Sequence, residues 1–251
     1  MNTQKIIYKF VLHLVLITTA FKRCIFLLFT IIGGVIMTIW SGNSKLMKLK
    51  WLKDFGYLEK MSALQIQKFL FFSEMFNLIT GEEYTLNKLR AYKNGPVYSD
   101  VYGDITHGKS ELLSKLENIE IDYNATQEEN LNRALFITYT QTDKDLSDIT
   151  HNLDLWHSKI HLINRNVRNI TISDSDITEK DKNSISNFRE YAQHLSDYQI
   201  IKINDKVFLI NNNDIDKLED SMLQTLDMIS DDDNLVNPVY IDIEDGVLLI
   251  D

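Results

Sequence analysis

The sequence predicts an α+β protein that is predominantly α-helical: a compact helical domain, a C-terminal acidic part containing two β-hairpins and a helix, and a hydrophobic N-terminal helix. Three observations carry this. Apolar residues recur at helical spacing through much of residues 62–195, alternation with period two appears only after Ser196, and residues 24–40 contain no charged side chain. The corresponding divisions are 1–44, 45–195 and 196–251.

Across the first division, Cys24 to Trp40 is a charge-free run, preceded by a shorter one from Phe10 to Phe21, with Lys22-Arg23 between them. About 17 apolar residues is the lower limit for a bilayer span. Two readings stand side by side: a membrane anchor through residues 24–40, or an over-extended start, with Met37 and Met47 as internal initiators. A cleaved signal peptide fits poorly, because no small-x-small site closes the run.

In the second division, Ser62 to Thr80 reads as a helix. Ser62 caps it, Leu64, Ile66, Phe69, Leu70, Phe72, Phe76 and Ile79 recur along it, and Gly81 stops it. Its surplus of phenylalanines suits the core first and a partner surface second. Leu86 to Tyr92 is short and mixed. Asn94-Gly95 favours a positive-φ turn, and Pro96 suits the first position of a helix running to about Ile105. Further helices are expected over Lys109–Ile119, Glu128–Tyr139, Thr142–His151, Leu155–Ile163 and Thr178–Leu195.

The third division reads differently. Tyr198 to Ile210 gives a hairpin around Asn204-Asp205, Asp214 to Ile229 an amphipathic helix, and Val239 to Ile250 a second hairpin around Asp245-Gly246.

Charge follows the same divisions. The chain of 251 residues carries 26 basic and 36 acidic side chains, a net charge of −10. Residues 1–60 hold nine of the basic and two of the acidic groups, so the body carries 17 basic against 34 acidic, and residues 196–251 alone hold 14 acids and three lysines. Such a body is not a nucleic-acid binder. One cysteine, Cys24, excludes both an intrachain disulfide and a cysteine-rich zinc site.

Catalytic motifs are missing. There is no glycine-rich phosphate loop, no Gly-x-Ser-x-Gly and no His-Glu-x-x-His. His157 and His161 stand at i and i+4 but lack a full ligand set, and Asp231-Asp232-Asp233 lacks a chelating loop. No catalytic residue, cofactor or metal is assigned.

Three patches then resemble a family. Ser62-Ala-Leu-Gln-Ile-Gln-Lys-Phe-Leu-Phe-Phe72, Leu89-Arg-Ala-Tyr-Lys-Asn-Gly-Pro-Val97 followed by Tyr98 and Val101-Tyr102, and Leu146-Ser-Asp-Ile-Thr-His151 with Leu155-Trp156 resemble, in order and spacing, the Panacea domain of SocA-like antitoxins and phage-associated GepA-like proteins. The likeness covers roughly residues 45–195. Tyr92 stands where the family usually has tryptophan, and no proline precedes Trp156.

The resemblance implies a non-enzymatic antitoxin with a cytoplasmic body, membrane-anchored if residues 24–40 insert, that neutralises a cognate toxin, a basic one given the acidic body, by direct protein contact. The alternatives are a proteolytic adaptor that delivers a client toxin to a protease, and a membrane-tethered phage-related interaction protein. The candidate motif or partner-binding residues are Gln67, Lys68, Phe72, Arg90, Tyr92, Lys93, Gly95, Pro96, Val97 and Trp156. Physically, Gln67 and Lys68 on an otherwise apolar helix should bond a neighbouring backbone, and Gly95-Pro96 should form a rigid corner that holds Arg90, Tyr92 and Lys93 against that helix.

Overall fold

An 18-residue helix that is apolar nearly all round must be surrounded, and the rest of the body is arranged around one. The computed structural model describes residues 38–232 and 234–251. The span expected over residues 24–40 lies, through residue 37, outside the described residues. Among the described residues no helix is long and apolar enough to cross a membrane.

The helices in chain order are α1 (Asn43–Asp54), α2 (Ala63–Thr80), α3 (Ser99–His107), α4 (Lys109–Leu116), α5 (Ala125–Thr140), α6 (Asp143–His151), α7 (Asp154–His157), α8 (Ile160–Asn164), α9 (Glu179–Tyr191) and α10 (Asp220–Ile229). The strands are β1 (Leu89–Tyr92), β2 (Gly95–Tyr98), β3 (Tyr198–Ile203), β4 (Lys206–Asn211), β5 (Val239–Glu244) and β6 (Val247–Ile250).

Helix α2 begins with a capping box, in which Ser62 accepts from the Gln65 N–H and Gln65 accepts from the Ser62 N–H, and it ends at Gly81 in the left-handed conformation. Every residue from Gln65 to Asn77 is buried. Helices α5, α9, α6 and α3 and strand β2 supply the surrounding layer. Burial of each large apolar side chain here is worth about 1.5–3 kcal/mol.

Sequence periodicity passes over α1, and the reason is physical. Lys45 and Lys48 occupy core-facing positions beside Leu49 and Leu52, so the helix reads as polar. Each lysine is neutralised from another element: Lys45 Nζ lies 2.5 Å from the Asp100 carboxylate, and Lys48 Nζ lies 2.9 Å from Glu74. Asp104 fixes the approach to α1 by accepting from the backbone N–H groups of Trp40 and Ser41. At the other end of α2, Asn130 donates to Asn77 and Thr80 and accepts from Arg189, tying together α2, α5 and α9.

Other expected elements shift. Pro96 lies in a strand, and helix α3 begins only at Ser99. The segment expected as one helix over Leu155–Ile163 is two short helices, α7 and α8. The helix expected over Thr178–Leu195 stops at Tyr191, where Arg133 takes the carbonyls of Arg189 and Ala192. The segment Asp214–Ile229 divides into a 3-10 turn at Ile215–Lys217 and α10.

The two C-terminal hairpins form, but they merge into one sheet of order β3-β4-β5-β6, with β4 and β5 parallel. Strand β4 explains the arrangement. Its Val207 and Leu209 join the large helical core, while Phe208 and Ile210 join a smaller core with Met222, Leu226, Val239, Ile241 and Ile243. A strand buried on both faces reads as a continuous apolar run.

The buried Lys48–Glu74 pair gives a stability prediction. Glu74 also accepts from the Thr85 N–H. Glu74→Ala should therefore cost about 3–5 kcal/mol in denaturant unfolding, since it leaves the Lys48 ammonium buried without its carboxylate, with only the Ser44 hydroxyl to accept from it. The paired change Lys48→Met with Glu74→Leu should recover most of that loss.

Candidate partner-binding groove

The groove is built from two consecutive residues of α2 that bond the backbone of β2 and of the turn before it. Gln67 accepts from the Tyr98 N–H at 2.8 Å and donates to the Tyr98 carbonyl at 3.4 Å. Lys68 donates to the carbonyls of Asn94 at 2.8 Å and Pro96 at 3.4 Å. Both side chains are buried, Lys68 completely. The amide and ammonium thus act for β2 as a further strand would.

The turn is shaped to accept them. Tyr92 pairs with Gly95 across a two-residue loop, Lys93-Asn94, and Gly95 has φ +100°. A Cβ at Gly95 would sit 2.1 Å from Lys68 Nζ and 2.5 Å from Thr150 Oγ1, so both the backbone conformation and the close approach require glycine. Pro96 pairs with Ala91, whose N–H turns away from the hairpin to the Ile170 carbonyl at 2.8 Å. That is a non-hydrogen-bonded pair, so the N–H that proline lacks is not needed there.

Trp156 secures the opposite side. Its indole N–H donates to the Tyr92 carbonyl at 2.8 Å, and its ring stacks on His151 with centroids 3.8 Å apart. Asp181 fixes the start of α7 by accepting from the N–H groups of Asp154 and Leu155.

Above this frame lies a largely apolar groove of about 500 Å³, walled by Ala63 and Leu64 of α2, Tyr92, Lys93, Asn94 and Val97 of the hairpin, Tyr102 of α3 and Asp143 of α6. Tyr92 and Tyr102 are 41% and 48% exposed, with ring centroids 6.5 Å apart. Exposed aromatics on a rigid frame suit protein contact, because they bring large area with few rotatable bonds.

Burial pushes the Lys68 ammonium down to about 7, and burial, reinforced by the Lys68 charge, holds His151 below its usual value. The unfolded chain therefore holds the Lys68 proton more tightly than the folded one, and this site contributes stability that rises from pH 7 toward 10.5 and is lost as the pH falls back through 7.

With the geometry described, residues 66–157 match the family model of the antitoxin SocA-like, Panacea domain. The matched segment runs from α2 through α7 and encloses the Gln67–Lys68 pair, the hairpin and Trp156. No curated protein and no solved structure matches the chain.

The structure brings Gln67, Lys68, Tyr92, Lys93, Gly95, Pro96, Val97 and Trp156 together. Of these, Tyr92 and Lys93 are exposed and Val97 is half-buried, while the rest support them from beneath. Phe72 lies elsewhere, fully buried against Phe71, Phe76 and Phe188. Arg90 is half-buried, donates to its neighbour's carbonyl at Leu89 and forms a bridge to Thr171. Sequence reasoning missed Leu64, Tyr102 and Asp143 as groove walls and Thr150 as the lining behind Gly95. The position of Tyr102, four residues after Tyr98, was the available signal. His157 and His161 are both exposed, and no group able to hold a metal ion occurs among the described residues.

Gly95→Ala should cost about 2–4 kcal/mol, combining left-handed strain with collision. The collision with Lys68 should vanish in the Lys68→Ala background, leaving the Thr150 contact and the left-handed strain. A double-mutant cycle in denaturant should show a coupling of about 1 kcal/mol or more between the two sites.

Proposed function

We propose that the protein is the antitoxin of a toxin–antitoxin pair and neutralises its toxin by direct, stoichiometric protein contact through the Tyr92–Tyr102 groove. The observation that supports this reading is the coincidence of the antitoxin-like family match with a preorganised frame that presents two exposed aromatic rings. Preorganisation lowers the cost of ordering a surface at binding. The net charge of −10 favours a basic toxin, because opposite fields raise the encounter rate and disfavour acidic partners. The protein acts as a binder, and no residue is assigned a catalytic role.

Co-expression with the product of the neighbouring reading frame tests this. Growth should be restored, and the two proteins should purify as a complex at fixed stoichiometry with unchanged toxin half-life. Unrelieved lethality contradicts the proposal, and a toxin half-life shortened by the protein shifts the reading to a proteolytic adaptor. Within the proposal, Tyr92→Ala combined with Tyr102→Ala should weaken the complex by about 10–100-fold, as central aromatic contacts do. The far-ultraviolet circular dichroism should stay the same, because both rings are exposed in the free protein.

A further inference from the structure

Among the described residues, the outer strand of the C-terminal sheet has an open, apolar edge. Asp251 exchanges both backbone hydrogen bonds with Tyr240. Alternation along the antiparallel β5–β6 ladder then turns the N–H and C=O groups of Val247 and Leu249 toward β5 and those of Leu248 and Ile250 outward. Among the described residues no hydrogen bond engages the outward groups. The side chains do not protect this edge: Val247, Leu249 and Ile250 are exposed, and Leu248 is only half-buried. Lysine, proline or a bulge commonly blunts an edge strand; β6, a strand of four residues, has none of these.

Charge selects the occupant. Across β6, on the outer face, Val247 and Leu249 pair with Glu244 and Asp242, and Asp245 and Asp251 flank the strand. Residues 196–251 hold 14 acids and three lysines, so edge-to-edge pairing of two copies would bring two strongly acidic sheets together. An incoming strand lies two spacings, about 10 Å, from β5, which long basic side chains can span toward the Asp242 and Glu244 carboxylates.

We propose that β6 is a second interaction surface, on which an extended segment of a partner protein, alternating apolar and basic residues, adds as a fifth strand. Main-chain bonds to Leu248 and Ile250 provide the affinity, and the acidic outer face selects basic side chains. The surface is independent of the Tyr92–Tyr102 groove.

The test uses the full chain and three synthetic octapeptides: alternating valine and lysine, alternating valine and glutamate, and the first composition arranged in two blocks. The alternating basic peptide should slow amide exchange at Leu248 and Ile250 by about tenfold or more, and the other two should not. Leu248→Pro removes an outward N–H without breaking a bond to β5, so it should abolish the effect while the fold persists. Leu249→Lys, which sets a like charge against the basic peptide and keeps every backbone donor, should weaken binding of the basic peptide at least severalfold. Equal binding of the acidic or block peptide, absence of protection by any peptide, or protection produced by the free protein dimerising through this edge would each overturn the proposal.

Discussion

The architecture of the groove depends on one constraint: a lysine ammonium is buried without a carboxylate. Among the described residues Lys68 has only the carbonyls of Asn94 and Pro96 to receive its protons, and burial pushes its pKa down to about 7. An isolated buried cation is costly, and it persists only where geometry supplies several acceptors. Gly95 provides that geometry because it adds no side chain and tolerates a positive φ. The same contact therefore explains the lysine, the glycine and the tight packing of the hairpin on α2. Gln67 and Trp156 complete the arrangement from the two sides, and the exposed tyrosines acquire a fixed spacing as a consequence.

The rest of the helical body handles buried charge differently. Lys45 and Lys48 are matched to Asp100 and Glu74, and Asp104 and Asp181 are spent on backbone N–H groups at the starts of helices. These contacts join elements far apart in sequence, so they specify which helix meets which, where apolar packing alone would permit sliding. Tyr98 sits among them, with its ring beneath Lys45 and its hydroxyl on the Thr85 carbonyl. Burial, with Glu74 and Asp100 nearby, raises its pKa well above the usual phenol range. The hairpin is thus held on one side by an unpaired lysine and anchored at its base by paired ones.

Much of this was legible from the sequence, for reasons that differ by element. Helix α2 announces itself through its Ser62 cap, Gly81 stop and apolar recurrence, and the two C-terminal turns through Asn204-Asp205 and Asp245-Gly246. The bonding of Gln67 and Lys68 to backbone follows from two polar groups on a helix too apolar to face water. Helix α1 was hidden because Lys45 and Lys48 are core residues whose partners lie 26 or more positions away. Pro96 misled because a proline at a non-hydrogen-bonded strand position looks, locally, like one at a helix start. The merging of two hairpins depends on β4 being buried on both faces, which an apolar run suggests without naming either neighbour. The groove was half legible: the hairpin wall was visible as a motif, whereas Leu64, Tyr102 and Asp143 are brought in by tertiary packing.

The titration of the Lys68 side-chain nitrogen tests the central constraint most directly. It can be followed by nuclear magnetic resonance of the full chain labelled at lysine nitrogens, with Lys68→Met used to assign the signal. A midpoint near 7 is the predicted result. A midpoint near the ordinary lysine value of about 10.5 would show the ammonium in water, and the hairpin could not then be held on α2 in the way described.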